Sequence, residues 1–433
     1  MKFTVPTMVM LVFMSLYQTV DGIFVSNLVG ELGLTALNIV YPFSSVVIAV
    51  AIMLATGGSA VIALNMGQGR NQEAKENFSL LVLVALVLSL TITVLGWIFM
   101  EDLIYFMGAT ERIYSLCYEY LWIMILATPL AMFQLLFQTF FVTAGKPRLG
   151  LTLTILSGIA NLVLDALFMG RFQMGIQGAA LATAIGYSIT ALFGFGYFAL
   201  QRKGSLYFVK PKWKGRVLLR SCSNGSSEMI NNLAVAITTL LFNLVGLHYL
   251  KEEGVAAISI ILYAQYVMTS VFMGYSTGVA PIFSYKYGAG EDRQIRRLFQ
   301  LSLRFVLLFS LVIFALSVLL ARPIALVFAS HNPNVLELAV YGFHLFSLSF
   351  LFTGLNLFTS ALFTAFSNGL ISGSLSLLRT FILLVAALLI LPTKIGADGI
   401  WLAVPLAEGI SFLVSALALY AYRRRYHFCK SVD

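Results

Sequence analysis

The chain has 433 residues, 60% of them hydrophobic and only 10% charged, with a mean hydropathy of +0.92. A water-soluble protein of this length exposes too much surface to hide so much apolar side chain, so a soluble globular fold is excluded and lipid becomes the solvent. The formal net charge of +9 would suit a nucleic-acid binder, but the basic residues fall in the joints between apolar runs. There they set topology and meet anionic headgroups, and no nucleic-acid partner is expected.

In chain order the apolar runs lie at 4–27, 37–63, 78–99, 117–143, 151–170 and 177–200, then at 225–249, 255–283, 298–320, 338–364, 373–391 and 399–421. Each is close to the roughly 20 residues that a helix needs to cross a bilayer. The first run follows Lys2 like a signal peptide, but it lacks a small-residue cleavage site and meets Asp21 at once, so it reads as the first span. Cys117, Cys222 and Cys429 stand singly, and His248, His331, His344 and His427 are scattered. Neither set has metal or disulfide spacing, and no cofactor is expected.

Twelve spans put both termini on one side. The joints on that side carry twenty basic residues against five opposite, so the termini are expected in the cytoplasm of a multi-pass protein of the bacterial inner membrane. The longest and most basic joint divides the chain into a first lobe, residues 1–200, a linker, 201–224, and a second lobe, 225–433, that ends in a basic tail. The linker's charge reads as an orientation device.

The halves repeat at one offset. Thr56-Gly57 followed by Gly67-x-Gly69 recurs 221 residues on as Thr277-Gly278 followed by Gly288-x-Gly290. Gly175-x-x-Gly178 recurs as Gly396-x-x-Gly399, and Tyr120 and Thr143-Ala144 as Tyr341 and Thr364-Ala365, at the same spacing. An even number of spans per half makes the repeat parallel. The expected fold is an all-α membrane protein of twelve helices in two pseudo-symmetric six-helix bundles, with a cavity between them and alternating access by rocking.

Acids within spans are costly and face a cavity or a partner. Asp21 lies about 22 Å along the first helix from Pro6, and Asp165 about 21 Å along the fifth from Leu151. Thr183 lies about 9 Å inside the opposite end of the sixth, so all three reach one depth. Tyr17 and Asn161 each precede their acid by four residues and share its helix face. Two carboxylates with hydroxyl and amide oxygens can hold a small hard cation, or share a proton because both cannot ionise cheaply in low dielectric. Plain interhelical hydrogen bonding is the alternative. The repeat-related positions are Phe242, Ile382, Ala386 and Val404, so the second half is expected to lack the cluster.

Glu228 and Arg379 sit near the terminus side of their spans and are candidates for a pair that closes that end, or for plain interfacial residues. Glu408 has no evident partner and is a candidate for the second-half cavity. Gln134, Gln138, Asn231 and Asn243 are candidate cavity residues that interhelical hydrogen bonds would explain as well.

The segments Tyr17-Gln-Thr-Val-Asp21-Gly, Gly57-Gly58-Ser59, Asn161-Leu-Val-Leu-Asp165 and Gly175-Ile-Gln-Gly178-Ala-Ala-Leu-Ala-Thr183 resemble those of the multidrug and toxic compound extrusion (MATE) family. The likeness runs to Gly399-Ile-Trp401 through Glu408 and is strongest to the DinF-like branch and its MepA-type drug exporters. It implies a twelve-helix, two-lobe exporter, not an enzyme, of amphipathic, often cationic drugs or toxic metabolites in exchange for H⁺ or Na⁺. It also implies a first-lobe cation site at Tyr17, Asp21, Asn161, Asp165 and Thr183, a first-helix bend near Pro6, and action as a monomer.

The chain departs from the NorM-like branch, which carries acids in the middle of spans seven and ten; span ten here has none. Its lead-in before Pro6 is shorter than is usual in the family, which points to a trimmed or mis-set start. Rival readings are a lipid-linked sugar flippase or metabolite exporter of the same superfamily, a facilitator-type sugar carrier and a polyprenyl transferase. The carrier's basic loop motif is missing from 67–77, and no Asp-x-x-x-Asp pair supports the transferase.

Overall fold

The computed structural model describes residues 2–29, 31–329, 332–426 and 428, with residues 18, 19, 22, 23, 26, 27, 31, 34, 236 and 252 described in backbone only. His331, His427 and Cys429 lie outside the described residues. The helices are α1 (Thr4–Leu28), α2 (Glu31–Gly67), α3 (Asn71–Ile98), α4 (Met100–Phe106), α5 (Glu111–Thr143), α6 (Pro147–Arg171) and α7 (Gly175–Leu200) in the first half. The second half holds α8 (Gly215–Lys251), α9 (Glu253–Gly288), α10 (Asp292–Ala329), α11 (Pro333–Ser347), α12 (Phe350–Ala365), α13 (Gly369–Ile395) and α14 (Asp398–Tyr422).

Among the described residues ten of these are long and apolar enough to cross a bilayer, the bent α11–α12 pair makes an eleventh span, and the 25-residue α1 carries a shorter apolar stretch, Thr4–Tyr17. The helices run several residues past the apolar runs, because a helix continues into the headgroup zone once its backbone is internally bonded.

Several local features depart from the periodicity. The tenth span is bent by 52° between α11 and α12, where three-residue bonds such as Ser349 N–H to Phe346 O (2.9 Å) replace helical ones. Lys251, at φ 58°, breaks α8 from α9. The fifth and eleventh spans each carry a π turn, Ala166–Arg171 directly after Asp165 and Leu378–Leu383 around Arg379. Pro6 occupies the first turn of α1, where its missing N–H costs nothing, and the helix continues unbroken to Leu28.

The repeat is legible in the backbone. Gly69 and Gly290 follow the ends of their helices at φ 76° and 68°, while Gly175 opens α7 at φ 58° and Gly396 lies just before α14 at φ 65°. The bond from Arg70 N–H to Asn65 O (2.9 Å) is matched 221 residues on by Glu291 N–H to Lys286 O (3.1 Å). Buried clusters form separately in each half. One gathers Phe78, Phe137, Phe140, Phe141 and Phe198, and another Phe272, Phe343, Phe346 and Trp401.

On the terminus side the halves meet backbone to backbone. A Cβ on Gly67 would collide with Tyr285 O, and one on Gly288 with Leu64 O. These contacts are each other's repeat mates, so a pseudo-twofold axis passes between them. Gly57 meets Ser221 and Gly225 in the same way, while Gly274 and Gly278 admit Thr4, Thr7 and Met8 of α1.

The expected linker is shorter than the sequence reading gave, since 215–224 already belongs to α8. Arg216 and Arg220 disguise this turn, whose Leu218 and Cys222 pack on the first-half core. The remaining linker is strapped to α3. Lys212 pairs with Glu76 at 2.7 Å and Lys214 with Glu73 at 3.0 Å, Lys75 donates to the Tyr207 hydroxyl at 2.9 Å, and Phe208 stacks on Phe78 at 5.3 Å. Glu76 is only 5% exposed, so its charge depends on these lysines. Glu76→Gln should release the strap, and tryptic cleavage after Lys212 and Lys214 should speed up about fivefold, because cleavage follows local opening. An unchanged cleavage rate would mean that the apolar stack alone holds the linker.

Candidate functional site

Two glycines let the first-half helices close around the acids. A Cβ on Gly158 of α6 would lie 3.1 Å from the Tyr17 ring, and one on Gly186 of α7 3.3 Å from Ser157 O. Ser157 and Thr190 hydroxyls then join α6 to α7 at 3.0 Å. In this frame the carboxyls of Asp21 and Asp165 face each other within reach of one shared proton. Asp165 is 0% exposed, and among the described residues neither of its oxygens, nor Oδ1 of Asp21, has a hydrogen-bond donor. Buried carboxylate oxygens without donors are rare because each forfeits its hydration.

The other predicted residues surround the pair. Asn161, 4% exposed, donates its amide to the Thr183 hydroxyl at 3.4 Å, and the Tyr17 hydroxyl reaches the carboxamide of Gln134. Tyr120 and Tyr187 stand beside the acids and were not singled out as site residues. A lone tyrosine in an apolar helix carries no sequence signal. Gln138 instead donates to Thr154 at 2.9 Å and ties α5 to α6.

The second half holds apolar residues at the four repeat-related positions, with Phe242 and Val404 buried in its core. It nevertheless builds a polar cluster of its own nearer the terminus side, in which the candidates Glu228, Arg379 and Glu408 come together with a pairing the sequence did not give. Glu408 is 7% exposed and has two partners: Arg379 at 3.4 Å and the Asn356 amide at 2.6 Å. The ion pair of Arg379 is therefore with Glu408. Glu228 lies within electrostatic reach of Arg379 and within hydrogen-bond reach of Asn231. Asn243 is three turns further along α8, about 18 Å from Asn231.

Glu228 also borders a cavity of about 40 Å³ between the halves, on the terminus side. Its walls carry the hydroxyls of Thr56, Ser59 and Thr139 from one half and Ser276, Thr277 and Thr364 from the other. Gln134, Gln138, Asn231, Asn243 and Glu408 do not line it.

The MatE family profile matches residues 6–167 and again 229–389, one match in each half. The chain belongs to the MatE family. It is thus a multi-pass membrane transporter of the MATE fold. It is 25% identical to the FAD transporter of Shewanella oneidensis, over 94% of this chain and 90% of that one. It is 22% identical to the multidrug export protein MepA of Staphylococcus haemolyticus, over 98% and 93% of the two chains. Among solved structures, the outward-facing conformation of a multidrug resistance MATE family transporter of the MOP superfamily superposes with a TM-score of 0.91. That structure is 21% identical, with 98% of this chain and 96% of the other covered, and the likeness shows the fold.

Proposed function

We propose that this MATE transporter is a secondary antiporter of the bacterial inner membrane that exports amphipathic, often cationic compounds in exchange for H⁺ or Na⁺. The observation that carries the reading is the facing Asp21–Asp165 pair, three of whose buried oxygens have no donor among the described residues. A positive charge, proton or metal ion, supplies what the protein withholds there. The excess of basic residues in the joints on the terminus side supports a cytoplasmic position for the termini, and with them the glycine seam.

Helix α1 links site to seam. Its first turns lie against Gly274 and Gly278 of α9, while Asp21, further along, faces α6. Charging or neutralising the pair therefore pulls on the helix that forms part of the inter-half contact. Antiport follows if cation and cargo favour opposite seam states. The first-half polar residues Tyr17, Asn161 and Thr183 complete the cation site around the acids, and the chain acts as a monomer.

A metabolite exporter is the second reading, favoured by the match to a relative named as an FAD transporter. Purified protein in proteoliposomes, under an imposed pH or Na⁺ gradient, tests both. Gradient-driven movement of an organic cation such as ethidium is the expected result, and movement of FAD alone would select the metabolite reading. If neither moves under either gradient, antiport is wrong.

A further inference from the structure

The second-half cluster does not balance its charge. Two carboxylates, Glu228 and Glu408, share one guanidinium, that of Arg379, which is already paired with Glu408. The other groups around Glu228 carry no charge: hydroxyls from α2, α5, α9 and α12, the aliphatic Met273 and Leu357, and the Asn231 amide. An uncompensated carboxylate within a membrane span is costly.

The cavity beside it has room for roughly three water molecules, too few for a drug and enough for a small ion. Its walls come from both halves, and Thr56 and Thr277 are repeat mates. Ser276 is 5% exposed and borders the cavity, and its hydroxyl has no partner among the described residues.

We propose that this seam cavity is a second site for one positive charge, a small monovalent cation held by Glu228 and the hydroxyls or a proton on Glu228. The site is distinct from the Asp21–Asp165 pair. A charge bound there touches both halves and so favours the seam closed on the terminus side, whereas opening rehydrates a bare Glu228 carboxylate. The inference does not depend on antiport, because its test reads seam closure and not transport.

The test uses full-length Asp21→Asn protein in nanodiscs, which lacks the first-half site, and follows deuterium uptake over 53–67 and 274–288. Uptake, corrected for the intrinsic pH dependence of exchange, should fall about threefold when the positive charge is supplied. A fall on replacing choline by Na⁺ at fixed pH identifies a metal cation, and a fall only on acidification identifies a proton. Adding Glu228→Gln should remove the response and leave the seam protected, while Glu228→Asp should retain it. No response in the Asp21→Asn protein, or a response that survives Glu228→Gln, overturns the proposal. Full gradient-driven efflux by Asp21→Asn would instead count against the first-half coupling site, a separate result.

Discussion

Asp165→Asn should abolish gradient-driven export and leave a folded, membrane-inserted protein. Coupling between two ligands is worth up to roughly 3 kcal/mol, so removing it should cost about 100-fold in the driven rate. Stability moves little or in the other direction. Asp165 has no donors among the described residues, and an asparagine amide can donate to Asp21 where a proton was shared. Asp21→Asn should behave alike, and the double variant should lose no more than either single one, since both carboxyls serve one site. Gradient-driven efflux measured beside the thermal midpoint of the same preparations separates the two effects. Equal losses of stability and transport would reduce the pair to helix packing.

The second large effect is expected at the seam. Gly67→Ala places a methyl against Tyr285 O, and Gly288→Ala places one against Leu64 O. Backbone cannot step aside as a flexible side chain does, and overpacking of this kind costs about 1–3 kcal/mol. Only the closed state pays it, because the contact exists only while the halves touch. The terminus-side-closed population should therefore fall roughly 5- to 150-fold relative to the open one. The contacts are repeat mates on one axis, so the two variants should match in size and the double variant should add little. Distances between spin labels placed across the seam read the populations directly, and an unchanged distribution would show that the helices separate slightly without opening.

The sequence revealed the coarse architecture because a span is a coarse signal: about 20 apolar residues survive many local irregularities. The repeat was legible because glycines fixed by φ > 0 or by backbone contact, such as Gly69 and Gly290, tolerate no substitute at those points. Helix periodicity placed Asn161 and Asp165 on one face, and the fold brings Asp21 to that face.

What escaped depends on neighbours distant in sequence. Arg379 and Glu408 are 29 residues apart on adjacent helices, and only the packing of α13 on α14 selects Glu408 over Glu228. Tyr187 was invisible for the same reason, and Tyr120 was legible only as a mark of the repeat. The 52° bend before Phe350 and the two π turns have no proline to announce them, and their hydropathy is that of straight helix. The first turns of α8 were concealed by charge, since Arg216 and Arg220 lower local hydropathy while Leu218 packs inward.

The central claim is that the first-half carboxyls hold a cation that cargo binding expels. Calorimetric titration of the transporter with a transported compound, in buffers of different ionisation heat and with or without Na⁺, counts the ions displaced. About one H⁺ released in choline medium, or binding weakened about tenfold by Na⁺, is the expected result, lost in Asp165→Asn. Cargo binding that ignores both pH and Na⁺ in the wild-type protein would contradict the account.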